Sequence, residues 1–153
     1  MKNVTGKPLD QLELFIGEWT VEGRHVMLPN AMVHGRSVFE WWGDRTFLVH
    51  RSTLDHPDFP NSISVIGATR SDGGLAQHYF DSRGVYRLYD MTFARGVWTL
   101  ARAAVSAKDF DQRMHATFSA DGNTITSQSE ASSPGGHDLK PDFAVTYRRV
   151  TRR

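Results

Sequence analysis

The chain contains no cysteine. Disulfide staples, thiolate metal centres and cysteine nucleophiles are therefore excluded together, and the absence fits a reducing compartment. An excess of one charge is also missing, since 18 lysines and arginines stand against 17 aspartates and glutamates. Nucleic-acid binders carry a clear basic surplus, so no nucleic-acid partner is expected. No apolar run comes near the 18 or so residues that a membrane-spanning helix needs, and no membrane association is expected. Residues Met1 to Pro8 hold no apolar stretch of the kind a secretory signal uses, which points to a cytoplasmic protein. Helical patterning is scarce as well, so strands and helices do not alternate as a parallel sheet would require.

Several chemical signatures are lacking too. The seven histidines form neither His-x-His nor His-Glu-x-x-His, so no metal site is expected. There is no Gly-x-Ser-x-Gly elbow for a serine nucleophile. Neither a Gly-x-Gly-x-x-Gly turn nor a phosphate loop is present to hold a dinucleotide or a nucleoside triphosphate. The arginines at the end, Arg148, Arg149, Arg152 and Arg153, read as a solvated strand end.

What the chain does have is alternation. Leu9, Leu12, Phe15 and Ile16 recur at helical spacing behind Pro8, which predicts one or two turns of helix closing one end of a barrel. From Glu18 the period becomes two, with Trp19, Val21 and Gly23 on one face and Thr20, Glu22 and Arg24 on the other. Further strands are predicted over 37–42, 46–53, 62–69, 75–81, 85–93, 97–102, 110–119, 124–129 and 142–150. Turns fall at Gly43-Asp44, Ser71-Asp72-Gly73-Gly74, Ser82-Arg83-Gly84, Arg95-Gly96 and Asp121-Gly122, and loops at 55–60 and Pro134-Gly135-Gly136. About ten strands at nearly even spacing, with tight turns, favour an antiparallel meander, either a barrel or a sandwich. The reading adopted is one all-β domain over residues 1–153, an up-and-down barrel behind a short N-terminal helix.

Barrel strands send alternate side chains inward, so a polar residue of the right parity enters a partly dry lumen. On this basis Trp42, Tyr79, Tyr89 and Trp98 are expected to wall a pocket, with Glu40, Arg51, Arg87 and Arg113 fixing a polar or anionic group of a small ligand. The alternative for each charged residue is a ladder of opposite charges on the outer face. The leading function is binding of a small, mostly apolar ligand. A second is proton transfer by a desolvated Glu40 or Asp142, as in an isomerase or cyclase. A third is self-association, as in a homodimer, with the lumen filled by the chain's own aromatic side chains.

The segment Phe15-Ile16-Gly17-Glu18-Trp19-Thr20-Val21-Glu22-Gly23 resembles the Gly-x-Trp opening of calycin-type barrels, the superfamily of lipocalins, fatty-acid-binding proteins and nitrobindins. Phe39-Glu40-Trp41, Phe47 to Arg51, Tyr79 to Val85 and Asp121 to Ile125 extend the likeness to a bacterial family of calycin-like barrels with no assigned activity. The resemblance spans residues 9 to 150 and implies a lipocalin-like barrel with a ligand in its lumen. Nitrobindins hold haem through a histidine opening the last strand, just before a Val-Thr-Tyr-like sequence. Here that strand reads Asp142-Phe143-Ala144-Val145-Thr146-Tyr147, with Asp142 where the histidine would stand. A carboxylate does not replace the neutral imidazole, and His137 lies five residues earlier, in a Gly-rich loop, so haem is not expected and the cofactor is left open.

Overall fold

Tight turns every ten residues or so leave each strand only its predecessor to pair with. In the computed structural model, which describes residues 9–69 and 74–151, the resulting meander closes on itself. The strands are β1 (Gly17–His25), β2 (Val33–Trp42), β3 (Phe47–Leu54), β4 (Ser62–Ala68), β5 (Leu75–Asp81), β6 (Tyr86–Ala94), β7 (Val97–Arg102), β8 (Gln112–Phe118), β9 (Thr124–Ala131) and β10 (Lys140–Arg149). Every consecutive pair is antiparallel, and β1 pairs with β10 to complete the ring. Closure leaves no sheet edge to template aggregation. The sandwich alternative is thereby excluded.

The expected boundaries shift at a few places. β2 begins at Val33, ahead of Ser37, and β8 begins at Gln112, after Phe110. β10 starts at Lys140 and breaks register between Pro141 and Phe143, because proline has no N–H to continue the ladder. The turn expected at 71–74 lies, Gly74 apart, outside the described residues, as do Pro8, the rest of the N-terminal segment, Arg152 and Arg153.

The N-terminal helix is a 3-10 helix over Asp10–Phe15. A three-residue repeat places Leu12 and Phe15 above one another, and both are completely buried. Phe15 is the centre of an aromatic plug. Its ring lies 4.9 Å from Phe93, 4.9 Å from Phe118, 5.1 Å from Trp98 and 5.3 Å from Phe39. Most of these pairs meet edge to face, the arrangement that the ring quadrupole favours.

Gly17 and Trp19 then explain the Gly-x-Trp opening. Gly17 has φ +131°, a conformation that other residues rarely adopt, and a Cβ there would stand 3.1 Å from Arg149 Nη1. Arg149 lies 4.2 Å above the Trp19 ring and donates to the carbonyls of Ile16 at 2.7 Å, Leu14 at 2.6 Å and Gly122 at 2.9 Å. It thus satisfies carbonyls that the short helix leaves over. The solvated role expected for Arg149 is corrected: it clamps the plug to the barrel. Arg148 pairs with Glu22 on the outer face, at 2.9 Å.

Candidate functional site

Along several strands the inward-facing residues change character from the plugged end to the open end. On β4 the series runs Ile66, Ser64, Ser62, and on β9 it runs Ile125, Ser127, Ser129. On β5 it is Leu75, Gln77, Tyr79, and on β8 it is Phe118, Ala116, Met114, Gln112. Large apolar side chains meet across the barrel axis at one end. Serines are too short to meet at the other. The space they leave is a chamber of about 190 Å³, bordered by serines of β3, β4 and β9, by His50, Gln77, Tyr79 and Tyr147, and by an apolar arc that includes Trp98, Leu100 and Met114.

The chamber is largely hydrogen-bonded within its own walls. Ser37 Oγ is 3.0 Å from Ser52 Oγ and 3.1 Å from His50 Nε2. Tyr89 donates to Gln112 Oε1 at 2.8 Å, and Ser127 donates to the Val145 carbonyl at 3.0 Å. Among the described residues two buried polar atoms have no partner, Gln77 Oε1 and Trp98 Nε1. Both residues border the chamber, at 5% and 2% exposure.

Outside the chamber lies a vestibule of about 760 Å³ at the mouth of the barrel, and Tyr79, Gln112 and Phe143 border both spaces. One wall of the mouth is aromatic. His25 lies 5.5 Å from Phe59 and 5.3 Å from Phe143, and the Phe59 and Phe143 rings stack at 5.4 Å. Gly23 makes this possible, because a Cβ there would come within 2.5 Å of the Phe143 ring. Half the strand order away, Arg87 lies over Phe110 at 5.2 Å. Among the described residues no carboxylate pairs with Arg87, whereas Arg83 is tied to Asp81 at 2.7 Å and Arg102 to Asp109.

Burial keeps the chamber neutral. Desolvation of the His50 imidazole, stacked 3.9 Å from the Phe39 ring, pushes its pKa down to about 3. Desolvation likewise pushes Tyr147 up to about 12. Tyr79 is raised by burial and then by its 2.8 Å hydrogen bond to Asp81. The Arg83 guanidinium holds the Asp81 carboxyl well below the usual carboxylate range. Chamber side chains therefore act at neutral pH as dipoles.

The nine residues singled out by alternation separate into three groups. Tyr79, Tyr89 and Trp98 border the chamber. Arg87 and Asp142 border the vestibule, where Asp142 Oδ1 accepts from His25 Nε2 at 2.9 Å. Arg113 touches the chamber from β8 but is exposed, out of phase with the inward Gln112 and Met114. Glu40, Trp42 and Arg51 lie on the outer face, which corrects their expected luminal placement. Glu40 and Arg51 form an exposed ion pair, and Trp42, 61% exposed, packs on Phe47 at 5.6 Å. The phase of β2 is set by Val33, Gly35, Ser37 and Phe39, all inward, so even-numbered positions face out. In Val38-Phe39-Glu40-Trp41-Trp42 both phases carry aromatic or branched residues, so that segment alone does not reveal the inward one.

Alternation missed His50, Gln77, Tyr147 and the serines. Gln77 shares the inward face of Tyr79, and small residues at inward positions are the signal for a hollow.

The haem implied by the nitrobindin likeness does not fit these residues. At the expected position Asp142 offers a carboxylate already engaged by His25, whose Nδ1 accepts from the Met27 N–H at 3.0 Å. His50 is held against Ser37 and Phe39, and His137 bonds Asp111 at 2.9 Å and is largely exposed. Among the described residues no imidazole faces the open space with an unengaged nitrogen at the head of β10.

No family model matches the chain, and neither does any curated protein. Its fold is similar to the crystal structure of Rv2717c from M. tuberculosis, with a TM-score of 0.66 at 15% identity, over 95% of this chain and 99% of that one. At such low identity the likeness shows a shared fold.

Proposed function

We propose that the protein binds a small molecule in the barrel lumen, with one part in the chamber and a polar or anionic group toward the mouth. The carrying observation is the change of the inward residues on β4, β5, β8 and β9, which leaves about 190 Å³ unfilled beneath an open vestibule. Concave sites that mix apolar surface with a few convergent polar groups are where proteins hold small ligands. The lining is more polar than a mostly apolar ligand requires, so the preferred ligand carries hydrogen-bonding groups into the interior. Arg87, which borders the vestibule, would meet the anionic group. The calycin-type reading agrees with this use of the lumen. Proton transfer finds less support, since Glu40 is outside the barrel and Asp142 is bonded to His25.

Native mass spectrometry of protein purified from its own host tests the proposal. A retained small mass, released on denaturation, is expected. A bare polypeptide, together with a crystal structure in which side chains fill the chamber, would overturn it.

A further inference from the structure

The outer wall of the barrel divides as clearly as its interior. On β1 and β8–β10 the outward positions hold Thr20, Glu22, Arg113, His115, Gln128 and Arg148, the polar face that a solvated antiparallel sheet presents. On β3–β6 they do not. The register sets Arg51, Ile63, Phe80 and Tyr86 in one row and Val49, Val65, His78 and Leu88 in the next. A third row runs from Phe47, which lies over Gly67, through Ala76 to Asp90. Phe80 packs on Tyr86 at 5.1 Å, and His78 Nδ1 lies 3.0 Å from the Tyr86 hydroxyl. Trp42, packed on Phe47, extends the third row onto β2.

Trp42, Phe47, Ile63, Phe80, Tyr86 and Leu88 are 37–61% exposed. At roughly 200 Å² per large side chain they leave on the order of 600 Å² in water. That is at the upper end of what a monomer shows, and most of the ~800 Å² that one partner gives to a standard interface. We propose that this face is the interface of a homodimer, with a second copy of the chain lying across β3–β6. The charges on its rim fit a copy of itself. Arg51 and Asp90 stand at opposite corners of a patch about 14 Å square, and among the described residues no cation pairs with Asp90. A two-fold axis along the other diagonal, from Phe47 to Tyr86, brings Arg51 of each protomer against Asp90 of the other. Glu40 pairs with Arg51 from the side and leaves it further N–H groups for that contact. One geometry thus covers the apolar rows, closes both charge pairs and forms an assembly that does not propagate. A lipid surface fits less well. Strands β2–β6 carry no lysine, and anionic headgroups would meet Glu40 and Asp90.

Sedimentation velocity on the full chain, from ~1 to ~500 µM protomer, reads the assembly. A monomer–dimer equilibrium is expected. Leu88→Glu should weaken it at least about tenfold by placing a charge in the apolar middle row. Thr117→Glu, on the polar side, should leave it unchanged. Asp90→Arg should weaken the dimer several-fold, and adding Arg51→Asp should restore it. Leu88, Asp90, Arg51 and Thr117 are all exposed in the monomer, so each variant keeps its fold, checked by circular dichroism. A monomer at every concentration would overturn the proposal, as would a dimer indifferent to Leu88→Glu or a charge swap that fails to restore it. Flotation with vesicles of phosphatidylcholine and phosphatidylglycerol, lost in Leu88→Glu, would also overturn it and assign the face to a lipid surface. None of these outcomes bears on ligand binding in the lumen.

Discussion

Trp19 and Trp98 are both shut inside the barrel, at 0% and 2% exposure, yet their indole N–H groups are treated differently. Trp19 donates to the Phe15 carbonyl at 3.0 Å, inside a plug closed by the 3-10 helix and Arg149. Trp98 borders the chamber and meets the Phe15 ring at 5.1 Å with the two planes nearly perpendicular, and its N–H has no partner among the described residues. One barrel thus holds two interiors. The plugged half is packed and satisfied, as cores are. The open half gives up packing and, among the described residues, leaves two polar atoms without a protein partner, both of which cost stability.

The sharpest way to break this comparison is to cut each half. Phe15→Ala should destabilise by about 3–5 kcal/mol in chemical denaturation, because it opens a void at the meeting point of four aromatic rings. Ser64→Ala, which removes one hydroxyl from the chamber, should stay within about 1 kcal/mol. Equal losses would mean that the two halves are not different.

Acid should act next, and through His50. Its folded pKa of about 3 lies below the ordinary 6.5, so the unfolded chain takes up this proton first. The stabilisation is complete above pH 6.5 and is lost as pH falls from there toward 3. Between pH 7 and 4.5, Tm should therefore drop more for the wild type than for His50→Gln. Asp81 contributes with the same sign but lower on the scale, because its depressed pKa delays the loss until pH falls below the ordinary carboxylate range. A wild-type Tm that is flat from pH 7 to 4.5 would show that His50 is not desolvated.

Gln77→Met should stabilise the empty protein by about 1 kcal/mol, since it removes an unpaired buried acceptor while filling similar volume. Substituting a buried polar residue usually does the reverse, so the sign decides. The smallest effect belongs to the outer face. Glu40→Gln should change stability by no more than about 0.5 kcal/mol, because the Glu40–Arg51 pair is half-exposed and screened by solvent. It should also leave the Trp98 indole shift where it was.

The barrel was legible in the sequence because alternation and turn chemistry are local properties, and ten strands with short connections permit few other solutions. Closure followed from the same pattern, and Gly17-Glu18-Trp19 marked the plugged end. Phase was much less legible. Tyr79, Tyr89 and Trp98 line the chamber because they share the inward face with Leu75, Met91 and Leu100 of their own strands. Glu40, Trp42 and Arg51 sit where both faces are apolar or aromatic, so the inward parity depends on pairing with β1 and is not written in the segment itself. His50 and Gln77 escaped notice because a polar residue's burial is set by its cross-barrel neighbours, which lie far away in sequence. Arg149 looked like part of a basic tail, since its contacts with Leu14 and Ile16 span the whole length of the chain.

The most direct test compares the two indoles by water–protein cross-relaxation in NMR. A chamber that exchanges its contents predicts a cross-peak from long-lived water to the Trp98 N–H and none to the Trp19 N–H. Silence at both indoles, or equal peaks at both, would contradict the division of the barrel into a sealed half and an open half.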